Sequence, residues 1–369
     1  MVVFEHARNS TIRFVVESTK PLIVDKVEFR RLNMPKTLSL CMITKNEEKC
    51  LGQCLSSVQG IADEIIIVDT GSTDKTKEIA KKFKAKIYDF KWTDDFSAAR
   101  NESLRHASKD WILVLDADEI IEKNDLEKIR NAIENENDAA GFSFEQRSYI
   151  NSYFEGAVKN NSGFSQVKGY PFYISHFLVR LFKNGIGLKF RNRVHELVED
   201  SMREKNLAIS KIDVVLHHFG SVKDETAIRE KSQMYSRIML KQFEEEPDNP
   251  RFNYQAARMH LGMNDSANAL RYFKKTAKLD PHYKLVFSEI AKIYLQMNDR
   301  NKAIEYFRKS MNHNPENPSP ANNLAVVYMS SGNFKNAKEI LEEQLKKHPE
   351  NKALKYNYQK VMENLKNNE

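Results

Sequence analysis

The chain has 369 residues, 41% of them apolar and 30% charged, so it is long enough for two globular domains and too apolar for a disordered protein. Its formal net charge of +7 comes without a nucleic-acid-binding motif, and we expect a solvated surface with no nucleic-acid partner. The apolar runs are far shorter than the ~20 residues that cross a bilayer, and no secretion signal is recognisable, so the sequence predicts a cytoplasmic protein without a transmembrane segment.

Residues 1–36 precede the first regular strand and are predicted as an N-terminal extension. They are basic and mildly β-prone, which leaves a disordered segment and an added edge strand as alternatives. Just beyond them lie Cys41, Cys50 and Cys54, which lack the spacing of a metal site and are too few for a disulfide scaffold. We expect them to be small, buried thiols in a reducing compartment.

Residues 37–222 alternate between apolar strands and amphipathic helices, as is typical of an α/β domain. Asn46 is predicted to cap the first helix, which carries Leu51, Leu55 and Val58. The predicted strands are 37–43, 64–68, 85–90 and 110–115, and the other helices are 73–84 and 96–107. This order predicts a Rossmann-like, mostly parallel sheet with helices on both faces. The pattern becomes strand-rich after residue 139, and residues 223–246 are predicted as a linker helix.

Residues 247–369 repeat with a period of 34 residues, which separates Pro247, Pro281, Pro315 and Pro349. Small residues recur in one phase, where paired helices must approach closely: Ala257, Ala291 and Ala325, then Ala269, Ala303 and Ala337. Residues that tolerate positive φ recur at the turns between the helices: Asn264, Asn298 and Gly332. This period is that of tetratricopeptide (TPR) hairpins, so the sequence predicts three hairpins and a C-terminal cap helix, an all-α solenoid.

Polar and acidic residues follow three of the four leading strands of the α/β region. Thr44 to Glu48 follow the first strand, Asp69 to Asp74 the second, and Asp116-Ala117-Asp118 the fourth. The carboxyl ends of parallel strands share one edge of a sheet, where ligands bind. On extended backbone, two aspartates two residues apart project to the same side. Their oxygens suit Mg²⁺ or Mn²⁺, which also bind substrate phosphates, so we predict a metal and diphosphate site.

These motifs resemble those of a family 2 glycosyltransferase with the GT-A fold. The resemblance is carried by Asn46-Glu47-Glu48, by the run from Asp69 to Asp74 and by Asp116-Ala117-Asp118. The segment from Asp95 to Asn101 is similar to a subgroup that fuses this domain to TPR repeats and includes the sublancin S-glycosyltransferase. The resemblance covers about residues 37–220 and then the repeats.

The resemblance implies roles for eight residues. Thr44, Glu47, Asp69, Arg100 and Asp116 would bind the nucleotide sugar, Asp118 and His218 would hold Mg²⁺ or Mn²⁺, and Glu196 would be the catalytic base. Asp95 is the next candidate for the base. Each of three residues also has an ordinary interpretation: Arg100 as a surface arginine, Glu196 as a structural carboxylate and His218 as a packed or capping histidine.

The resulting hypothesis is metal-dependent, inverting sugar transfer from a nucleotide-sugar donor of the UDP type. The acceptor would be a peptide or protein, or else a cell-envelope glycan, and the repeats would recognise it or form a homodimer. One alternative is a non-catalytic TPR scaffold with a degenerate sugar-nucleotide domain. A second is a nucleotidyltransferase, which should carry a glycine-rich phosphate loop where this chain has Thr44 to Glu48.

Overall fold

The structure, a computed structural model, describes residues 3–5, 11–15, 22–25, 35–135, 138–153, 156–219 and 225–367. The chain forms two compact units, Met1–Ile228 and Arg229–Glu369. Near its start, strands β1 (Val3–Glu5), β2 (Thr11–Val15) and β3 (Leu22–Asp25) form a small antiparallel sheet. These strands pair with one another and not with the larger sheet. The rest of the predicted extension, apart from residues 35 and 36, lies outside the described residues.

The larger sheet of the first unit contains nine strands among the described residues, in the order β6-β5-β4-β7-β11-β9-β12-β8, with β10 paired to β11. Its strands are β4 (Leu38–Thr44), β5 (Glu64–Asp69), β6 (Lys86–Asp89), β7 (Trp111–Val114), β8 (Glu119–Ile121), β9 (Gly141–Ile150), β10 (Val158–Lys159), β11 (Phe172–Lys183) and β12 (Ile209–His218). Its helices are α1 (Leu51–Ser57), α2 (Thr76–Lys82), α3 (Phe96–Arg105), α4 (Lys123–Asn135) and α5 (Glu199–Glu204).

The predicted α/β class, with helices on both faces, is confirmed by the way buried residues alternate along the strands. Leu40 and Met42 of β4 pack with Leu55 of α1 on one face, whereas Cys41 packs with Met202 of α5 on the other. Because successive side chains of a strand point to opposite faces, a strand buried on both sides must be apolar throughout. Burial of this kind is the main source of stability for the domain.

The sheet is mixed: its leading strands are all parallel, whereas its later strands form both parallel and antiparallel pairs. Strands β4, β5, β6 and β7 run parallel, whereas β11 is antiparallel to both β7 and β9. A parallel pair needs a crossover, usually a helix, between its strands. The described part of the β9–β11 connection contains only β10 and a single 3₁₀ turn at Ser165–Val167. The prediction of a mostly parallel sheet therefore holds for the leading strands, whereas the later strands combine one parallel pair, β9 with β12, with antiparallel pairs.

Asn46 does not cap the first helix, and that prediction is wrong. Helix α1 begins at Leu51, and Asn46 has a φ of 55°. Its Oδ1 accepts a hydrogen bond from the Thr73 backbone N–H at 2.8 Å, and its own N–H donates to Ser72 Oγ at 2.9 Å. The side chain is used to join two loops at the strand ends, so it is not available to the helix.

The three cysteines are free, and the prediction of buried thiols holds for Cys41 and Cys54 but not for Cys50, which is half-buried. Burial raises the pKa of the Cys41 and Cys54 thiols well above the ordinary value, and nearby carboxylates add to the effect. Both are therefore held as neutral thiols.

Glu64 is a buried carboxylate at the start of β5. Burial alone would raise its pKa, but hydrogen bonds from Ser39 Oγ, the Ser108 backbone N–H and Lys86 Nζ lower that pKa to about 2. Since the ordinary value is 4.5, the ionised form is favoured in the folded state. The stabilisation is complete above pH 4.5 and is lost as the pH falls through about 2.

Glu64→Gln is expected to lower the free energy of unfolding at pH 7 by about 3 kcal/mol, since each pKa unit is worth about 1.4 kcal/mol. The deficit should shrink as the pH falls below 4.5, because the wild type then loses the same contribution. Both tryptophans, Trp92 and Trp111, lie in the first unit, so urea titrations followed by tryptophan fluorescence report on it selectively. Exposed Glu127→Gln is the control, and a deficit independent of pH would contradict the argument.

The second unit is a helical array, and its TPR architecture is confirmed. Helix α6 (Glu225–Glu245) spans the boundary between the units and leads into the pairs α7 (Pro250–Gly262) with α8 (Ser266–Leu279), α9 (Val286–Gln296) with α10 (Arg300–His313), and α11 (Ser319–Ser330) with α12 (Phe334–Lys347). A final helix, α13 (Lys352–Asn367), buries Leu354 and Val361 against the last pair. All six recurring alanines are fully buried. The three turn positions have φ of 58°, 59° and 71°, as predicted.

Within the part of the chain that the structure describes, no helix is both long and apolar enough to cross a membrane.

Candidate active site

The ends of β4 and β5 bring Thr44 and Asp69 together at the edge of the sheet. They are register partners, and Thr44 Oγ1 lies 3.5 Å from Asp69 Oδ2. Asp69 Oδ1 accepts hydrogen bonds from the N–H groups of Gly71 and Ser72, at 3.0 and 2.9 Å. Gly71 has a φ of 109°, which permits this tight turn. The Asp69 carboxylate is therefore fixed in orientation by the backbone around it.

The pKa of Asp69 lies below its ordinary value. Burial opposes ionisation, but hydrogen bonds from Ser72 and Gly71, with the Lys77 ammonium 3.5 Å away, outweigh that effect. The loop that carries Glu47 lies beside this turn, since the Glu47 N–H donates to Thr76 Oγ1 at 2.8 Å. The structure thus brings Thr44, Glu47 and Asp69 to one edge of the sheet, where the sequence placed a nucleotide pocket.

Asp116 is held between two buried arginines. Arg100 Nη2 donates to Asp116 Oδ1 at 2.7 Å, and Arg180 Nη2 lies 3.5 Å from Asp116 Oδ2. Burial would raise the Asp116 pKa, but the two guanidinium groups outweigh it and hold that pKa well below the ordinary range. The Asp116 side chain is nevertheless 31% exposed, so this carboxylate remains accessible to a ligand.

The backbone turns after Asp116, which corrects the prediction that Asp116 and Asp118 project together from an extended strand. The Glu119 N–H donates to the Asp116 carbonyl oxygen at 3.1 Å, and the Asp116 N–H donates to Glu119 Oε2 at 2.9 Å. These reciprocal bonds close a turn. Asp116 consequently meets the arginines, while Asp118 meets His218.

Asp118 and His218 form the candidate metal pair. His218 Nε2 lies 3.6 Å from Asp118 Oδ1, and its Nδ1 is 2.9 Å from Ser148 Oγ. Burial lowers the His218 pKa, but Asp118 and the neighbouring acidic residues outweigh it and raise the pKa above the ordinary value. Among the described residues, no group of three or more His, Cys, Asp or Glu could hold an ion alone. This pair fits a divalent cation whose coordination is completed by substrate phosphates and water.

His217 and His218 are neighbours in sequence but point to opposite faces of β12. His217 is fully buried, with Tyr149 Oη 2.7 Å from its Nδ1 and Glu122 Oε1 3.0 Å from its Nε2. Burial lowers the pKa of His217, although Glu122 opposes the shift. Only His218 faces the candidate metal position.

Arg100 connects Asp116 to Glu196. Arg100 Nε donates to Glu196 Oε1 at 2.6 Å, while its Nη2 bonds Asp116. Arg100 is only 7% exposed, so its interpretation as a surface arginine is wrong. Its Nη1 is buried and has no hydrogen-bond partner among the described residues. An unpaired buried donor is costly, and a ligand oxygen would satisfy it.

Glu196 lies in an irregular segment between β11 and α5, next to His195, which has a φ of 53°. The segment is tied to the start of α3, because the Phe96 N–H donates to the Arg193 carbonyl oxygen at 2.8 Å. Asp95 itself caps α3, and its Oδ1 accepts from the Ala98 N–H at 2.9 Å. This capping role makes Asp95 a weaker candidate for the base than Glu196.

Sequence reasoning assigned no role to Arg180, Glu119 or Gln146. Arg180 Nη2 donates to Glu119 Oε1 at 2.7 Å, and Gln146 Nε2 donates to the same oxygen at 2.5 Å. Glu119 was detectable, since it follows Asp116 by three residues and can close a turn. Arg180 and Gln146 reach the site only through strand pairing, so no local signal marks them.

Comparison with known proteins agrees with this architecture. Residues 39–183 match the family described as Glycosyl transferase family 2, and residues 294–361 match a tetratricopeptide repeat family. The chain therefore contains a family 2 glycosyltransferase domain followed by TPR repeats, which confirms the resemblance drawn from the motifs.

Three relatives show how far the similarity extends. The chain is 36% identical over 193 residues to a TPR repeat-containing protein of Synechococcus elongatus, and the aligned residues cover 51% of this chain and 43% of that protein. It is 28% identical over 244 residues to the SPbeta prophage-derived glycosyltransferase SunS of Bacillus subtilis, covering 65% and 53% respectively. It is 26% identical over 220 residues to the lipopolysaccharide core biosynthesis glycosyltransferase LpsC of Rhizobium meliloti, covering 58% and 74%. The chain spans about half the length of the first two.

Proposed function

We propose that this chain is a metal-dependent, inverting glycosyltransferase that uses a nucleotide-sugar donor of the UDP type. The observation that carries the proposal is the Arg100 bridge between Asp116, at the donor edge, and Glu196, the candidate base. A purely structural ion network has no need of an accessible carboxylate or an unpaired guanidinium nitrogen. Here the Asp116 side chain is partly exposed and Arg100 Nη1 lacks a partner among the described residues, so both can receive a ligand.

Thr44, Glu47 and Asp69 would bind the nucleoside part of the donor. The support is their shared position at the carboxyl ends of β4 and β5, where ligands of open α/β sheets bind. Asp69 is already oriented by two backbone N–H groups, so its carboxylate would accept donor hydroxyl or base N–H groups without rearrangement.

Asp118 and His218 would hold the cation, Mg²⁺ or Mn²⁺. Family 2 enzymes generally depend on a divalent metal, which when bound offsets the charge that develops on the departing diphosphate. Ser148 keeps the His218 ring oriented through Nδ1, so that Nε2 faces Asp118. Arg100 would place its unpaired Nη1 toward the donor.

Glu196 would take the proton of the acceptor group. The acceptor oxygen forms a bond to the anomeric carbon while the bond from that carbon to the diphosphate oxygen breaks, and the acceptor proton passes to Glu196. Arg100 Nε engages Oε1, so Oε2 is the oxygen that would receive the proton. Attack from the face opposite the leaving group inverts the anomeric centre.

The acceptor would be a peptide or protein, or a cell-envelope glycan. The TPR unit supports the first, because stacked hairpins form extended surfaces that bind extended segments. The name of LpsC, a lipopolysaccharide core enzyme, supports the second. Homodimer formation through the repeats and a cytoplasmic location stay predictions of the sequence.

A non-catalytic TPR scaffold is the alternative from a different class. We favour catalysis because Asp69, Asp116, Asp118 and Glu196 are all present and held in ordered contacts. A nucleotidyltransferase is disfavoured because the loop after β4 contains no glycine between Thr44 and Glu48.

The test is to incubate the full-length protein with UDP-, GDP- and dTDP-sugars, with Mn²⁺ or with EDTA, and to follow donor hydrolysis. We expect one nucleotide class to be hydrolysed slowly and only with the metal present, because water can replace a missing acceptor. Thermal-shift measurements with the same ligands provide the binding control. A protein that neither binds nor hydrolyses any donor would support the scaffold alternative.

A further inference from the structure

Glu119 is a fully buried carboxylate that accepts three hydrogen bonds. The Asp116 N–H donates to Oε2, while Gln146 Nε2 and Arg180 Nη2 both donate to Oε1. Burial raises the pKa of Glu119 above its ordinary value, and the Arg180 guanidinium opposes that shift. All three contacts use Glu119 as an acceptor, and Arg180 Nη2 lies only 2.7 Å from Oε1, so this geometry favours the ionised carboxylate beside the Asp116 turn.

Arg180 is brought to this position by a β-bulge in β11. The register between β11 and β9 shifts between Val179 and Leu181, so Arg180 is the inserted residue. The shift reverses the alternation of faces: Val179 packs in one apolar cluster of the sheet and Leu181 in the other. The bulge places a buried guanidinium between Glu119 and Asp116.

The two carboxylates do not share Arg180 equally. Its Nη2 is 2.7 Å from Glu119 Oε1 but 3.5 Å from Asp116 Oδ2. Arg100 already bonds Asp116 Oδ1 at 2.7 Å, so Oδ2 is the oxygen with the weaker protein contact. If Glu119 lost its charge, Arg180 would be a buried cation whose nearest remaining anion is Asp116, and it would move to form the shorter, stronger bond.

We propose that Glu119 is a positioning residue that holds Arg180 back from Asp116 and so keeps Asp116 Oδ2 available to the donor. The inference rests on the proposed function in one respect, which is that Asp116 binds the nucleotide sugar. A residue that merely stabilised the turn would have no effect that depends on Arg180.

The test compares three variants of the full-length protein by calorimetric titration with UDP in the presence of Mn²⁺. Glu119→Gln keeps the size of the side chain and an acceptor for the Asp116 N–H but removes the charge. We expect its UDP affinity to fall about 10- to 100-fold, the value of a hydrogen bond to a charged group. Gln146→Leu removes one hydrogen bond to Glu119 but leaves its charge, and should bind UDP within about three-fold of the wild type.

The decisive variant combines Glu119→Gln with Arg180→Met. It removes the buried pair together, a change that proteins often tolerate, and leaves no arginine to occupy Asp116 Oδ2. We expect the double variant to regain most of the affinity that Glu119→Gln loses. A double variant that binds UDP as weakly as Glu119→Gln, or more weakly, overturns the proposal. If Glu119→Gln alone does not fold, the double variant is compared with the wild type instead, and a UDP affinity reduced about 10-fold or more overturns the proposal.

A crystal structure of Glu119→Gln provides a readout that needs no nucleotide. The distance from Arg180 Nη2 to Asp116 Oδ2, now 3.5 Å, should contract to that of a direct hydrogen bond. An unchanged distance overturns the inference. Failure of the wild type to bind any nucleoside diphosphate would instead overturn the proposed function, so the two failures are distinguishable.

Discussion

Glu196→Gln is expected to lower kcat by about 10²- to 10⁴-fold while the KM for the donor stays nearly unchanged. A glutamine cannot take the acceptor proton, but its amide oxygen can still accept the hydrogen bond that Arg100 Nε now gives to Glu196 Oε1 at 2.6 Å. Arg100 should therefore stay in place and continue to hold Asp116. Steady-state kinetics with varied donor at saturating acceptor separate the two parameters.

The matched control for this substitution is Glu204→Gln. Glu204 also pairs with an arginine, Arg191, at 2.8 Å, but both side chains are at least half exposed. It should leave kcat unchanged, because exposed ion pairs contribute little. If Glu196→Gln kept a near-normal kcat, another residue would be the base, and Asp95 would be tested next despite its capping role.

Asp118→Asn is expected to abolish the effect of Mn²⁺ on nucleoside diphosphate binding. The substitution replaces a charged carboxylate ligand with a neutral amide oxygen, which binds a divalent cation far more weakly, and loss of a residue that only supports a ligand already costs about 10- to 100-fold in metal affinity. The affinity for UDP measured by calorimetry should then be the same with Mn²⁺ as with EDTA. Since asparagine has the same shape as aspartate, the fold should be preserved.

Asp213→Asn is the control for Asp118→Asn. Asp213 lies on β12, the strand that carries His218, but its side chain is 94% exposed and pairs with Lys128. This variant should retain the full metal dependence of the wild type. If Mn²⁺ still raised the UDP affinity of Asp118→Asn as much as that of the wild type, Asp118 would not be a metal ligand. His218 would then be the only remaining candidate ligand of the proposed pair.

The wrong predictions from the sequence share a physical cause. Asn46 is a good helix cap by its residue type, yet its side chain bonds the Thr73 N–H in another loop. Asp116 and Asp118 were placed on extended backbone, yet Glu119 closes a turn between them. In both cases a hydrogen bond to a side chain decided the local conformation. The partner of Asn46 lies in a distant loop and left no local signal, whereas Glu119 lies three residues from Asp116 and was detectable in the sequence.

The sequence by itself determined the parts of this protein that follow from short-range periodicity. The repeat of 34 residues predicted the helical hairpins and their positive-φ turns, because each TPR hairpin contacts mainly its neighbours in sequence. The acidic strand ends likewise predicted that Thr44 and Asp69 would meet, because parallel strands in register align their carboxyl ends.

Tertiary structure alone decided which charges meet. Arg100, Asp116, Arg180 and Glu196 come from α3, the turn after β7, the bulge in β11 and an irregular loop. Their contacts depend on the strand order, which decides which strands are neighbours. They also depend on the one-residue shift of register in β11, because such a shift moves the following side chains to the opposite face of the sheet. Charged groups far apart in sequence pair in a buried site only after the whole sheet has formed, because their partners and the low-dielectric surroundings exist only then.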